Sequence, residues 1–202
     1  MIKAIIFDYG GVLGENPSKK IYQRVAKEFG VGKGIIKVNF LKLIFQIQKD
    51  QIEEGVFWKK LAEKLKIKDQ RRLRTVWPDE HQKSASINRE LLSFIGNLKK
   101  KYTLCLLSNS ARFYRNDSIE KMLKKRFHHI IYSFDVKMRK PERKIYRYLL
   151  KKINLKPADC LFIDDSKEAL DAGGQMGMRT ILFTTVPAFK KSLRRALSEE
   201  TN

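Results

Sequence analysis

Long apolar runs are missing from this sequence, cysteines are scarce, and acidic residues are heavily outnumbered by basic ones. No run approaches the roughly 20 residues that a membrane-spanning helix needs. The apolar opening around Ile5 is too short, and too soon interrupted by Asp8, to read as a signal peptide. The chain is therefore expected to be cytoplasmic. Its two cysteines, Cys105 and Cys160, each fall inside a short apolar run, where a thiol behaves as a small buried hydrophobe. No disulfide is expected, and two cysteines alone make no zinc site. Internal repeats, low-complexity segments and long flexible linkers are also absent.

The acid deficit is large: 22 Asp and Glu stand against 43 Lys and Arg, a formal charge of +21. Residues 121–152 alone carry twelve Lys and Arg against Asp135 and Glu142. One reading is a surface for nucleic acid or an acidic membrane. The other, which we take first, is basic decoration of ordinary solvated faces. A field of this sign draws in phosphorylated anions in either case.

The 202 residues, 43% of them hydrophobic, suffice for one sizeable core or for a core carrying a smaller insert. Five short apolar runs read as strands: Ala4–Phe7, Leu104–Leu107, Ile130–Tyr132, Leu161–Ile163 and Thr180–Phe183. Central parallel strands have this character because both their faces are covered. Helical patterns lie between them. Ile145, Leu149 and Ile153 recur at spacing four after Pro141, which a first helical turn tolerates, and Ser110 and Ser166 follow strands as candidate N-caps. Asn88 is a further candidate cap, ahead of Leu91, Leu92, Ile95 and Leu98. Residues 16–86 differ in offering no convincing strand. Ile21, Val25 and Phe29 share one helical face with Gly30 as a stop, and Phe57, Leu61 and Leu65 form a second stripe. The predicted fold is α/β, a doubly wound parallel sheet of Rossmann type with a small α-helical cap. Residues 1–15 and 87–202 form the core and 16–86 the cap, with Ser198–Asn202 as a fraying tail.

Carboxylates stand at two strand ends. Phe7-Asp8-Tyr9-Gly10-Gly11-Val12-Leu13 sets Asp8 after the first strand and before a glycine turn, and Phe162-Ile163-Asp164-Asp165-Ser166 repeats the design far down the chain. Ligands collect at the carboxyl ends of parallel strands, so the two can meet there. Ser108-Asn109 follows the second strand, and Lys140-Pro141 precedes a helix. These residue types suit phosphoryl transfer. Asp8 supplies a nucleophile, Ser108 and neighbouring amides hold phosphate oxygens, and Lys140 neutralises charge. Asp8 and Asp165 can share a hard divalent cation, Mg²⁺ being the natural candidate.

In this order the residues resemble the haloacid dehalogenase superfamily of hydrolases, in its phosphatase-like branch with a helical cap inserted after the first strand. The first motif is similar to Phe7–Leu13, the second to Leu107-Ser108-Asn109, the third to Arg139-Lys140-Pro141 with Lys144-Ile145-Tyr146, and the fourth to Phe162–Ser166. Residues 54–62 also resemble that branch's cap. The resemblance implies Asp8 as a nucleophile forming an aspartyl-phosphate and as a Mg²⁺ ligand, with the Gly10 carbonyl and Asp165 as further ligands. It implies Asp164 in a supporting role, holding a metal-bound water or orienting the shell. Ser108 would bind phosphate, supported by Asn109, and Lys140 would steady both nucleophile and phosphate. The implied substrate is a small phosphorylated metabolite.

Two positions depart from the pattern. Many of these phosphatases carry a second Asp two residues after the nucleophile, as acid to the leaving oxygen, and here Gly10 stands in its place. General acid–base catalysis is worth about 10²–10⁴-fold, so substrates with good leaving groups should suffer least: sugar-1-phosphates, aryl phosphates and acyl phosphates. A group from cap or substrate could replace the acid instead, Glu15 and His81 being candidates. Lys137 stands where relatives often have glycine, and is expected to alter the approach to the site. Competing readings are a 2-haloacid dehalogenase and a non-catalytic nucleic-acid-binding protein. Phe40, Phe45, Phe57 and Trp58 are the aromatic candidates for cap residues facing the site.

Overall fold

The computed structural model describes residues 1–198, so the part of the expected tail after Ser198 lies outside the described residues. The chain runs through β1 (Ala4–Phe7) into α1 (Ser18–Phe29), α2 (Lys33–Gln48), α3 (Glu54–Leu65) and α4 (Gln70–Ser84). It continues with α5 (Arg89–Leu98), β2 (Thr103–Ser108), α6 (Asp117–Arg126), β3 (His129–Tyr132) and the single turn α7 (Ser133–Val136). It closes with α8 (Arg143–Ile153), β4 (Cys160–Asp164), α9 (Lys167–Gly174), β5 (Arg179–Leu182) and α10 (Val186–Ser198). All five expected strands are present, their ends differing from expectation by at most one residue.

The strands form one parallel sheet in the order β3-β2-β1-β4-β5. The chain leaves β1 toward β2 and β3 on one side, then returns to lay β4 and β5 on the other. That reversal makes the carboxyl end of β1 the place where a crevice opens. Phe7 is in register with Leu106 of β2 and Ile163 of β4, so Asp8, Ser108 and Asp164 come out at the same edge. Alternate strand residues face opposite ways. Ile5, Phe7, Leu104, Leu106 and Ile163 pack with Leu91, Ile95, Leu123 and Phe189 of α5, α6 and α10. Ile6, Leu107 and Phe162 pack with Ile145, Leu149 and Leu170 of α8 and α9 on the other face. Cys105 and Cys160 lie on this second face as buried free thiols, raised by burial to about 12 and about 11. They stay protonated, as the reading of inert core cysteines requires.

Helices α1 to α4 hold a separate apolar cluster in which Ile21, Val25, Phe57, Leu61, Leu65 and Trp77 are buried. Gly30 stops α1 in the left-handed conformation (φ 66°), its N–H donating to the Ala26 carbonyl. The two passages between this helical layer and the sheet run side by side. Gly14 bridges Ile87, the Glu15 N–H donates to the Ser86 carbonyl, and the Asn88 N–H donates to the Leu13 carbonyl.

Asn88 caps α5 by accepting from the Leu91 N–H at 2.8 Å, and Ser166 caps α9 by accepting from Ala169. Ser110 does not act as a cap. After β2 the chain enters a 3-10 turn, Arg112–Tyr114, and α6 starts only at Asp117 under an Asn116 cap. The turn is drawn toward α1–α4 because Ala111, Phe113 and Tyr114 join the helical cluster, and Tyr114 Oη accepts from Trp77 Nε1 at 3.0 Å. Pro141 likewise stands outside the first turn of α8, which begins at Arg143. It follows Lys140 through a cis peptide bond.

Candidate active site

Four chain segments converge at the carboxyl edge of the sheet. Asp8 is held by its own backbone, whose N–H donates to the Ile163 carbonyl and so ties the end of β1 to β4. From the β3–α8 connection Lys140 projects into the same spot. Its Nζ donates to Asp8 Oδ1 at 2.6 Å and to Asp164 Oδ2 at 2.5 Å. All three side chains are buried. Asp164 is tied further by accepting from the Ser166 N–H at 2.8 Å through its other oxygen. Asp165 lies on the exposed side, and Asp8, Asp164 and Asp165 bring carboxylate oxygens within 4.8 Å of one another.

The electrostatics follow from three carboxylates facing one ammonium. Burial raises the Asp8 carboxyl most, Lys140 opposes that and Asp164 adds to it, leaving it at about 6. For Lys140 burial opposes the charge, but the two carboxylates outweigh it and hold the ammonium above its ordinary value. Asp165 is also raised, by burial and then by Asp164. Excess negative charge on an oxygen-only donor set is what a hard divalent cation relieves.

Glycine is required at one point in this site and merely tolerated at another. Gly11 has φ +86°, and a Cβ there would meet Asp165 Oδ2 at 2.0 Å, so the carboxylate rests against the bare backbone. At Gly10 a Cβ would meet nothing within 4 Å. A side chain at this position would therefore enter open space two residues after Asp8.

Asn109 does something its sequence neighbourhood does not reveal. Its amide clamps the backbone of Lys140 from both sides, Nδ2 donating to the Lys140 carbonyl and Oδ1 accepting from the Lys140 N–H, each at 2.9 Å. Ser133, fully buried, pins the same loop by accepting from the Ser110 N–H and donating to the Ser110 carbonyl. Neither contact has a local pattern, since each joins residues more than twenty positions apart. A complementary donor and acceptor pair on Asn109 was the only available hint.

Asp8, Ser108, Asn109, Lys140, Asp164 and Asp165 together line a pocket of about 210 Å³. Through Gly10, Asn16, Ser108, Asn109 and Arg139 it shares walls with a cavity of about 310 Å³ between the sheet and the helical layer. Phe40 and Phe45 line that cavity. Phe57 and Trp58 are fully buried within the helical cluster and do not. Glu15 and His81 line the cavity but not the pocket that holds Asp8. Glu15 pairs with Lys20 at 3.1 Å, and burial lowers His81 to about 4, leaving it neutral at pH 7. Lys137 is absent from the walls of both. It sits in the left-handed region (φ 56°), a conformation that favours glycine, and its Nζ reaches Asp50 at 3.7 Å.

A family model described as haloacid dehalogenase-like hydrolase matches residues 5–183, a span that includes every residue of this site. The chain belongs to the haloacid dehalogenase-like hydrolases. Among curated relatives, bifunctional epoxide hydrolase 2 of Mus musculus is 35% identical over 116 residues, 54% of this chain. The match spans only 21% of that longer protein. D-ribitol-5-phosphate phosphatase of Bacteroides thetaiotaomicron is 23% identical over 194 residues, covering 89% of this hydrolase and 91% of the relative. A mutant HAD family enzyme of the same bacterium, solved with magnesium and inorganic phosphate, superposes with a TM-score of 0.79 at 20% identity. That comparison covers 92% of this hydrolase and 96% of the other chain, and establishes the shared fold.

Proposed function

We propose that this hydrolase is a Mg²⁺-dependent phosphatase acting on a small phosphorylated metabolite through an aspartyl-phosphate on Asp8. The observation that carries the reading is the buried Lys140 held between Asp8 and Asp164, with Asp165 completing an oxygen-only cluster. Asp8 and Asp165 with the Gly10 carbonyl would hold the metal, and Asp164 would support them. Bound there, Mg²⁺ would neutralise the carboxylates and polarise a phosphoryl oxygen. In the first half-reaction an Asp8 oxygen attacks phosphorus, and the alkoxide or aryloxide leaves with the bridging electrons. Water then attacks the phosphorus of the aspartyl-phosphate, releasing inorganic phosphate and the free carboxylate. Ser108 and Lys140 hold phosphoryl oxygens during both steps, and Asn109 fixes Lys140 through its backbone. Residues 16–86 act as a cap that closes the larger cavity over the leaving group, with the protein acting in the cytoplasm.

The same nucleophile in a 2-haloacid dehalogenase would displace halide from carbon, which needs no metal. The carboxylate cluster favours phosphate. The test is phosphate release from para-nitrophenyl phosphate with Mg²⁺ and with EDTA. Release that stops in EDTA and returns with Mg²⁺ supports the reading, whereas metal-independent chloride release from 2-chloropropionate would replace it.

Two substitutions test the positioning groups. Asn109→Ala should lower turnover about a hundredfold, because displacement of a catalytic group by about 1 Å has that cost. An intact far-ultraviolet circular dichroism spectrum and a turnover within twofold of the parent would contradict the clamp's importance. Gly11→Ala must both hold an alanine at positive φ, costing about 1–2 kcal/mol, and displace Asp165. It should raise the Mg²⁺ concentration for half-maximal activity about tenfold or more; an unchanged metal titration would remove Asp165 from the ligand set.

A further inference from the structure

Helix α2 is apolar on two opposite sides. Ile36, Phe40, Leu43, Ile44 and Ile47 are buried in the helical cluster. On the other side Ile35, Val38, Leu41 and Phe45 fall at spacings of three, three and four, which stacks them in one stripe. They are 56%, 51%, 42% and 47% exposed. Half of the large hydrophobic residues exposed among the described residues therefore lie along one helix face, where scattered single exposures would need no explanation. The substrate cavity accounts for part of the stripe only: Leu41 and Phe45 line it, and Ile35 and Val38 do not.

The charges within α2 itself are of one sign, and beside it Arg139 lays its guanidinium over the Phe45 ring at 3.8 Å. From Lys33 to Lys49 the sequence holds four lysines and no acid. Lys33, Lys37 and Lys42 are exposed, while Lys49 is engaged with Glu142 at 3.0 Å. We propose that this face of α2 docks the protein on an anionic lipid bilayer, the apolar stripe entering the headgroup boundary and the lysines meeting lipid phosphates. The helix would lie flat, since no helix of the described residues is long and apolar enough to cross a membrane.

Charge decides against the other occupants. A second copy packed on the same stripe through a two-fold axis would set α2 lysines against α2 lysines, in a chain already carrying +21. Nucleic acid would satisfy the lysines but offers no apolar phase to Ile35 and Val38. An anionic bilayer meets both needs. Docking in this way sets the cavity mouth at Leu41 and Phe45 against the lipid surface, and it stands whether or not the phosphatase reading holds.

The experiment is flotation of the full chain with vesicles of phosphatidylcholine alone and of phosphatidylcholine mixed with phosphatidylglycerol. The protein should float with the mixed vesicles and not with the neutral ones. Ile35→Ser combined with Val38→Ser should cut the bound fraction about tenfold, with the thermal midpoint unchanged because both positions face solvent. Lys37→Glu combined with Lys42→Glu should do the same by the independent electrostatic route. No flotation with anionic vesicles overturns the proposal, and so does flotation undiminished in the serine variant, which would mark adsorption by bulk charge alone. A dimer in sedimentation velocity that the serine variant dissolves would assign the face to a second copy. RNA retention lost in that variant would assign it to nucleic acid.

Discussion

Asp8→Asn is expected to abolish phosphate release while making the metal-free protein more stable. Loss of the nucleophile should cost at least about 10⁴-fold in turnover, the scale found when a nucleophile is removed from an otherwise intact site. The stability change has the opposite sign for a physical reason. Asp8 is raised from 3.8 to about 6, chiefly by burial, so its proton is bound more tightly in the folded chain. Such a group has its full stabilising effect below the unfolded value and loses it as pH rises through the folded one. Above pH 6 the native chain must carry a buried charge, and the interval between the two values corresponds to about 3 kcal/mol. Asparagine keeps the shape without the charge and leaves Lys140 paired with Asp164. In EDTA at pH 8 the variant should melt several degrees higher, and near pH 4 the difference should close. Adding Mg²⁺ should reverse the order, because a ligand that binds the native wild type stabilises it by mass action. Identical melting curves at both pH values would mean that the carboxylate cluster is not strained without metal.

That strain explains why part of the site was legible in the sequence. Apolar residues in a central strand are dictated by burial on both faces, so Ala4–Phe7 ends where Asp8 interrupts it, and the interruption is itself the functional signal. The same reasoning located Asp164 at the end of β4 and Ser108 at the end of β2, and parallel register brought them together. Helix caps with a short-range partner, Asn88 and Ser166, were equally readable because the side chain and the N–H it accepts from lie three residues apart.

Groups whose partners are distant were not readable. The amide of Asn109 could serve phosphate or backbone, and only the approach of the 140 loop decides for backbone. Ser133 has no sequence context that marks it as a pin for residue 110. Ser110 fails as a cap because Ala111, Phe113 and Tyr114 are recruited to a cluster built by helices that precede β2. Periodicity put Phe57 on the same footing as Phe40, yet Phe57 is walled in by Phe40, Trp58 and Phe113 while Phe40 also reaches the cavity.

Gly10→Asp is expected to raise turnover of alkyl phosphates. The substitution is sterically free: nothing lies within 4 Å of the new Cβ, and Gly10 is not among the positive-φ glycines. Its side chain would enter space that belongs to both the pocket lined by Asp8 and the larger cavity, where the proposed reaction releases the leaving oxygen. A positioned general acid contributes about 10²–10⁴-fold, and a newly placed carboxyl without its own supporting contacts should recover about tenfold to a hundredfold of it. The gain should depend on the leaving group. An aryl oxide departs without a proton, so para-nitrophenyl phosphate should change little, while an alkyl phosphate should be accelerated and the ratio of the two rates should narrow. In the parent enzyme that ratio should be large, with aryl and acyl phosphates favoured. Equal acceleration of both substrates would point to an effect on the metal or the cap rather than to proton transfer. A parent that already hydrolyses alkyl and aryl phosphates at similar rates would show that another group supplies the proton. The choice then falls between the substrate and the cavity wall, where His81, neutral at pH 7, still carries one N–H.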